Sequence, residues 1–219
     1  VADIGRSLTD QTFATLTDVE AEAQRTNNYE IGARFSGATW DGSIAAFLST
    51  SDNGTTFQPG TIDILKSPER IWGLEATANF DIAANARAGG TLTLMRGEVD
   101  VDDDGDFDED LPTTRIPPTK LTAYVEFEPT DWWSARVQAV YSGTQDNNST
   151  AFGGGVDIES YTVVDALSTF DLGPGKLDVG IENLFNVDYT PVINQAYNSS
   201  FAYARGPGRT ISANYRIEF

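Results

Sequence analysis

The chain of 219 residues contains no cysteine, no histidine and a single methionine. Disulfide frameworks, zinc ribbons, catalytic thiols and Ser-His-Asp triads are therefore excluded within it by inventory. Positive charge is scarce: 14 Lys and Arg stand against 33 Asp and Glu, a formal net charge of −19. That balance opposes nucleic acid as a partner, and it opposes anchoring through a basic surface. Also missing is any apolar run near the roughly 18–20 residues that a membrane helix needs. The mean hydropathy of −0.30 reads as soluble, but a β-barrel gives a similar value because its strands alternate lipid-facing and lumen-facing residues. The chain opens on Val1 with no charged-then-apolar leader, so it is expected to be a processed product or part of something longer.

What is present is alternation. In the last ten residues Ile211, Ala213, Tyr215, Ile217 and Phe219 fall on one face, and Thr210, Ser212, Asn214, Arg216 and Glu218 on the other. A period of two is a β-strand with one apolar face, and about ten residues cross a bilayer when tilted. The design recurs upstream. Tyr29, Ile31, Ala33 and Phe35 share a face, then Ile44, Ala46 and Leu48, then Trp72, Leu74, Ala76, Ala78 and Phe80. Ala86 to Leu94, Leu121 to Phe127 and Trp133 to Tyr141 repeat it, and so do Leu177, Val179 and Ile181; Tyr161–Phe170 is a strand with less clean faces.

The connections alternate too. Short turns of about three to six residues alternate with long segments at about 49–69, 97–119, 143–159 and 186–208. A soluble sandwich has no reason to gather its long loops at one end. A transmembrane barrel does, with long extracellular loops, short periplasmic turns and aromatic girdles. Trp132, Trp133, Phe80 and Phe219 all fall at the short-turn end. Residues 1–26 read as a polar extracellular loop region with a helical turn near Asp18–Gln24, and 27–219 as the barrel strands. The expected fold is all-β, with roughly nine antiparallel strands. Nine cannot close in the usual even-numbered way, and free sheet edges in lipid leave backbone groups unpaired at several kcal/mol each. The chain is therefore expected to be the C-terminal part of a larger barrel, its missing strands on another polypeptide or lost to a nick or a truncation.

Several blocks resemble a known family. Asn28-Tyr29-Glu30-Ile31-Gly32-Ala33-Arg34, Arg70-Ile71-Trp72-Gly73-Leu74-Glu75, Arg115-Ile116-Pro117-Pro118, Ile181-Glu182-Asn183-Leu184-Phe185-Asn186-Val187-Asp188-Tyr189 and Gly208-Arg209-Thr210 look like successive motifs of TonB-dependent outer-membrane receptors. The resemblance implies a barrel of about 22 strands around a plugged lumen, with the plug not represented in these motifs. It implies a bacterial cell outer-membrane location amid lipid, assembly machinery reading Phe219 as a C-terminal signal, and TonB acting through the plug. The segment Pro191–Arg209 looks most like ferric-siderophore receptors of hydroxamate type; receptors for vitamin B12, haem or glycans, a passive porin-like barrel and a soluble β-sandwich binding protein are the alternatives. No enzyme activity is implied.

Two candidate sites follow. Tyr197, Phe201, Tyr203 and Arg205 are candidate ligand-binding residues at an extracellular mouth, since a guanidinium suits both the charge and the aromatic character of a ferric siderophore. Arg209 reads instead as the partner of a neighbouring strand's acid, and Arg34, Arg136, Glu126 and Arg216 as lumenal ion-pair formers. Asp188 and Tyr189 read as structural residues at a loop lip. Asp100, Asp102, Asp104, Asp106 and Asp108, with Gly105 between, match the front of a Ca²⁺ loop over residues 100–111. Leu111 stands where the bidentate acid is expected, so Glu109 or Asp110 would substitute. Structural Ca²⁺ is the one cofactor suggested, and none is required; a solvated acidic loop is the alternative reading.

Overall fold

A computed structural model describes residues 24–57, 64–146, 156–197 and 204–217. Its strands are β1 (Thr26–Ser36), β2 (Trp40–Phe57), β3 (Ile64–Ala83), β4 (Ala86–Val99), the two-residue β5 (Glu109–Asp110), β6 (Lys120–Thr130), β7 (Trp133–Ser142), β8 (Tyr161–Asp171), β9 (Gly175–Glu182) and β10 (Thr210–Ile217); one helix, α1 (Val192–Tyr197), precedes β10. They form one antiparallel sheet in the order β1-β2-β3-β4-β6-β7-β8-β9-β10, with β5 lying on β4. Nine long strands in sequential order are what the alternation predicts. Among the described residues no helix is long and apolar enough to cross a membrane, which says nothing of strands.

The register carries each apolar face across the sheet. Ile31 opposes Ala46 and Ala33 opposes Ile44; Ile44 then opposes Ala76, Ala76 opposes Leu92, Leu92 opposes Leu121 and Leu121 opposes Tyr141. Ile181 opposes Ile211 at the far edge. These side chains are exposed where a soluble core would hide them: Ile31 by 78%, Val125 by 46%, Val137 by 47% and Ile211 by 70%. A soluble monomer rarely presents a continuous apolar surface beyond a few hundred Å², whereas a lipid-facing band is made of one. At the short-turn end Trp132 and Trp133 each stack on Phe170 with ring centroids 6.3 Å apart. Trp133 Nε1 donates to Ser168 Oγ at 3.1 Å. That bond explains the uneven faces of β8: Ser168 is a polar residue on the lipid side, satisfied by the girdle.

The opposite face is polar and cross-linked. Asn79 Nδ2 and Arg87 Nη2 donate to the Asp41 carboxylate at 2.7 and 2.5 Å, and Tyr124 Oη donates to Asn79 Oδ1 at 2.7 Å. Arg136 lies over the Tyr124 ring at 4.1 Å and donates to Glu126 at 2.6 Å, the lumenal pairing expected of Arg136 and Glu126. Among the described residues both outer strands lack a neighbour on one side, and every residue of β1 and β10 is exposed.

The long segments differ from expectation. Most of 49–69 is strand, because β2 continues to Phe57 and β3 starts at Ile64. The ladder satisfies backbone groups whatever the side chains, so these arms form strand without an alternating sequence. Asn53-Gly54 is not a turn but falls at a register shift, where pairing skips from Ser51 to Gly54, as a bulge does. The 97–119 segment begins as the end of β4 and contains β5, and 186–208 contains α1. Pro59-Gly60 and nearly all of the expected 1–26 loop, with its Asp18–Gln24 turn, lie outside the described residues.

Candidate functional site

At the long-loop end, a cavity of about 480 Å³ is lined by Glu159, Tyr161, Asp188, Tyr189, Gln195 and Arg205, among others. Its construction begins at Asn183, which ends β9 in the left-handed region with φ +50°. The Asn183 side chain is buried and bonds at both ends: Oδ1 accepts from Val187 N at 2.8 Å, and Nδ2 donates to the carbonyls of Val187 and Pro207 at 2.8 and 3.1 Å. Its backbone N donates to Asp165 Oδ1 at 2.9 Å. Asn186, also at positive φ, accepts from Arg209 N at 2.9 Å. The two asparagines thus tie the chain leaving β9 to the chain entering β10, and the cavity wall hangs between them.

On that wall the Tyr161 and Tyr189 rings lie 4.7 Å apart. Gly206 passes against Tyr189 so closely that a Cβ would fall 2.2 Å from the ring, and its N donates to Tyr189 O at 2.8 Å. Burial raises the Tyr189 hydroxyl pKa, with further contributions from Tyr161, Asp165 and Glu182, so it remains a hydrogen-bond donor across the physiological range. Gln195, in α1, accepts from Glu159 N at 2.8 Å and donates to Glu159 O at 3.1 Å and Thr190 O at 2.8 Å. Arg205 pairs with Asp188 on the exposed rim. An exposed pair holds only about 0–1 kcal/mol, so this guanidinium is readily re-partnered. The surface can therefore stack a planar group, donate from a phenol and offer a cation.

Of the ligand residues expected from sequence, Arg205 lines this cavity. Tyr197 does not: it sits at the end of α1, 51% exposed. Phe201, Tyr203 and Phe219 lie outside the described residues. Asp188 and Tyr189 line the cavity as well as shaping the lip. Tyr161, Gln195 and Glu159 carried no sequence signal, because their convergence depends on α1 folding back against the start of β8.

The acidic loop is a separate feature. Oxygens of Asp100, Asp102 and Asp104 lie within 4.8 Å of one another, whereas Asp106 and Asp108 do not join that group. Asp100 is buried and accepts from the backbone N of Asp104 and Gly105 at 3.2 and 2.9 Å. The Asp104 charge, with burial and the neighbouring aspartates, raises the Asp102 pKa. Leu111 is 1% exposed and packs with Val99 and Ile116, so it serves the small core of the cap that the 97–119 segment forms over the long-loop end.

Residues 5–184 match the family model described as TonB dependent receptor-like, beta-barrel. The chain is 34% identical over 216 residues to the ferric aerobactin receptor of Escherichia coli, covering 93% of the chain and 28% of that protein. It is 27% identical over 216 residues to the rhizobactin receptor of Rhizobium meliloti, covering 90% and 27%. Among solved structures it resembles the copper transporter OprC, with a TM-score of 0.75 at 21% identity over 90% of the chain and 31% of OprC. The chain thus spans under a third of the length of these relatives.

Proposed function

The chain belongs to the TonB-dependent receptor-like β-barrel family, and from that premise we propose that it supplies part of an outer-membrane receptor for active uptake of a ferric siderophore. The observation that carries the proposal is the long-loop-end cavity, where Tyr161, Tyr189, Gln195 and Arg205 converge, in a chain similar to receptors for ferric aerobactin and rhizobactin. Its volume is at the small end of ligand pockets, roughly 300–1,000 Å³, so it forms one wall of a mouth shared with strands beyond β1 and β10. Capture occurs there; a plug in the lumen then rearranges under TonB and releases the ligand inward. Closure of the barrel requires strands paired to both free edges, and lipid surrounds the apolar band.

Equilibrium binding of ferric aerobactin to the closed barrel containing this chain, followed by tryptophan quenching, tests the cavity's part. Arg205→Ala is expected to weaken binding about tenfold, the lower range for a charge-assisted hydrogen bond. Unchanged affinity in both Arg205→Ala and Tyr189→Ala would remove the cavity from the binding site.

We also propose that the loop at 100–111 holds a structural Ca²⁺. Two oxygens on one Ca²⁺ stand up to about 5 Å apart, which the Asp100, Asp102 and Asp104 group satisfies. The ion would relieve the mutual repulsion of these carboxylates and stiffen the cap. Titration calorimetry should show Ca²⁺ heat that Asp102→Ala abolishes; absence of heat in the unaltered protein would leave a solvated loop.

A further inference from the structure

Two cations, Arg70 and Arg96, stand on the otherwise apolar face of the sheet beyond the Leu74–Leu94 pair. Arg96 opposes Trp72 across β3 and β4, two residues beyond the Leu74–Leu94 pair on the same face. It is about ten residues along β4 from the turn at Ala86, roughly 34 Å of strand. A tilt of about 45° converts that to roughly 24 Å, the height of a barrel's apolar band. Arg96 therefore stands at the outer headgroup level, beside the Trp72 ring.

Its described neighbours form no ion pair with it, though two carboxylates lie nearby. Nη1 donates to Met95 O at 3.3 Å, and no described carboxylate forms an ion pair with it. The next pair on this face is already engaged: Arg70 Nε donates to Glu98 at 2.7 Å, and its guanidinium lies over the rings of Phe107 at 4.7 Å and Trp72 at 5.8 Å. Asp110 and Asp146 border a separate hollow on the other side of Arg96, beyond ion-pair distance.

Below the guanidinium is a built cleft of about 340 Å³, lined by Trp72, Leu74, Leu94, Met95, Arg96 and Thr119, with Gly73 between. It exists because β6 begins at Lys120, opposite Thr93, so the stretch of β4 from Leu94 to Arg96 has no β6 residue beside it. An apolar slot opening onto the lipid band, under a guanidinium with no described ion-pair partner and next to an indole, matches an amphiphile with an anionic head.

We propose that this cleft binds one phosphorylated lipid of the outer leaflet, its phosphate on Arg96 and its proximal acyl methylenes against Leu74 and Leu94. The proposal rests on the membrane-barrel reading above. Its volume suits one chain segment rather than a whole lipid, so the remainder of the lipid stays in the bilayer.

The test is native mass spectrometry of the detergent-purified closed barrel titrated with bis-phosphorylated lipid A, and with the same glycolipid after phosphatase treatment. Arg96→Gln is expected to weaken binding of the phosphorylated lipid about tenfold, and phosphate removal to have a similar effect on the unaltered protein. Lys120→Ala removes a charge from the lumenal face and should leave binding unchanged. Leu94→Ser should weaken both lipids, and millimolar inorganic phosphate should not compete. Equal binding by Arg96→Gln, indifference to the lipid phosphate, or displacement by inorganic phosphate overturns the proposal. The barrel reading is checked on the same samples by heat-modifiable migration in gels: a barrel that forms but ignores Arg96 defeats the lipid site alone, whereas protein that never forms one defeats both.

Discussion

Arg115 reaches back to Glu69, and its Nη2 donates to both carboxylate oxygens, at 2.7 and 2.9 Å. The Glu69 side chain is only 8% exposed, so the pair pins the 111–116 turn onto the β3 arm, over the Val99, Leu111 and Ile116 cluster. Arg115→Ala leaves that carboxylate buried without its cation. Breaking a buried pair from one side costs about 3–5 kcal/mol, and partial exposure of Arg115 favours the lower figure. The amide of Leu111, bonded to Gly97 O at 2.8 Å, is then expected to exchange roughly a hundredfold faster, with amides of β6 and β7 unchanged. An unaltered Leu111 rate would show that the apolar cluster alone holds the cap.

The membrane-crossing strands were legible in sequence because one face meets lipid and the other a wet lumen, which forces a period of two on each. The arms above the membrane were not. Ser49 to Phe57 continues the β2–β3 ladder past a register shift at Ser51–Gly54, yet its sequence shows no alternation. Arg205 could be picked out as a loop cation near aromatics, but its cavity partners Tyr161 and Gln195 come from other segments, joined by hydrogen bonds that leave no trace in spacing. Arg96 was legible only once register put it on the lipid face.

Asn183 is expected to be the most sensitive position near β10. Asn183→Ala removes three side-chain hydrogen bonds and places a Cβ-bearing residue with no local polar compensation at φ +50°. At about 1 kcal/mol per bond plus about 1 for the backbone, the loss is roughly 4 kcal/mol. Asn183→Gly should recover about 1 kcal/mol of it. Urea unfolding of the barrel in micelles, read by gel migration, should rank unaltered protein above Asn183→Gly above Asn183→Ala. Equal midpoints for all three would mean that the β9–β10 ladder needs no clamp.

Gly206→Ala should damage the cavity through Tyr189. With a Cβ 2.2 Å from that ring, the ring or the 204–208 segment must move. Ferric aerobactin binding is expected to fall about tenfold or more, since displacement of about 1 Å at a site is costly. Tyr189→Ala, which makes room, should render the added Gly206→Ala change nearly silent. Strict additivity of the two changes would exclude the steric explanation.

The Asp102 pKa is raised chiefly by Asp104. A carboxyl so raised is strained in its ionised form: the repulsion is present above its folded pKa and relieved as the pH falls through it. Ca²⁺ needs the ionised form, so its affinity should rise with pH and begin to fail, on acidification, at a higher pH than an ordinary aspartate would give. Calorimetry over a pH series should show this, with Asp104→Asn moving the midpoint down while weakening binding. A flat pH profile would contradict the assignment.

The central claim is energised uptake, and radio-iron transport tests it most directly. Cells carrying the complete receptor that contains this chain are given labelled ferric aerobactin, with and without collapse of the proton gradient. Saturable accumulation that stops when the gradient collapses, and that Arg205→Ala shifts to higher ligand concentration, is the result expected. Accumulation that rises linearly with concentration and ignores the gradient would identify a passive pore and contradict the account.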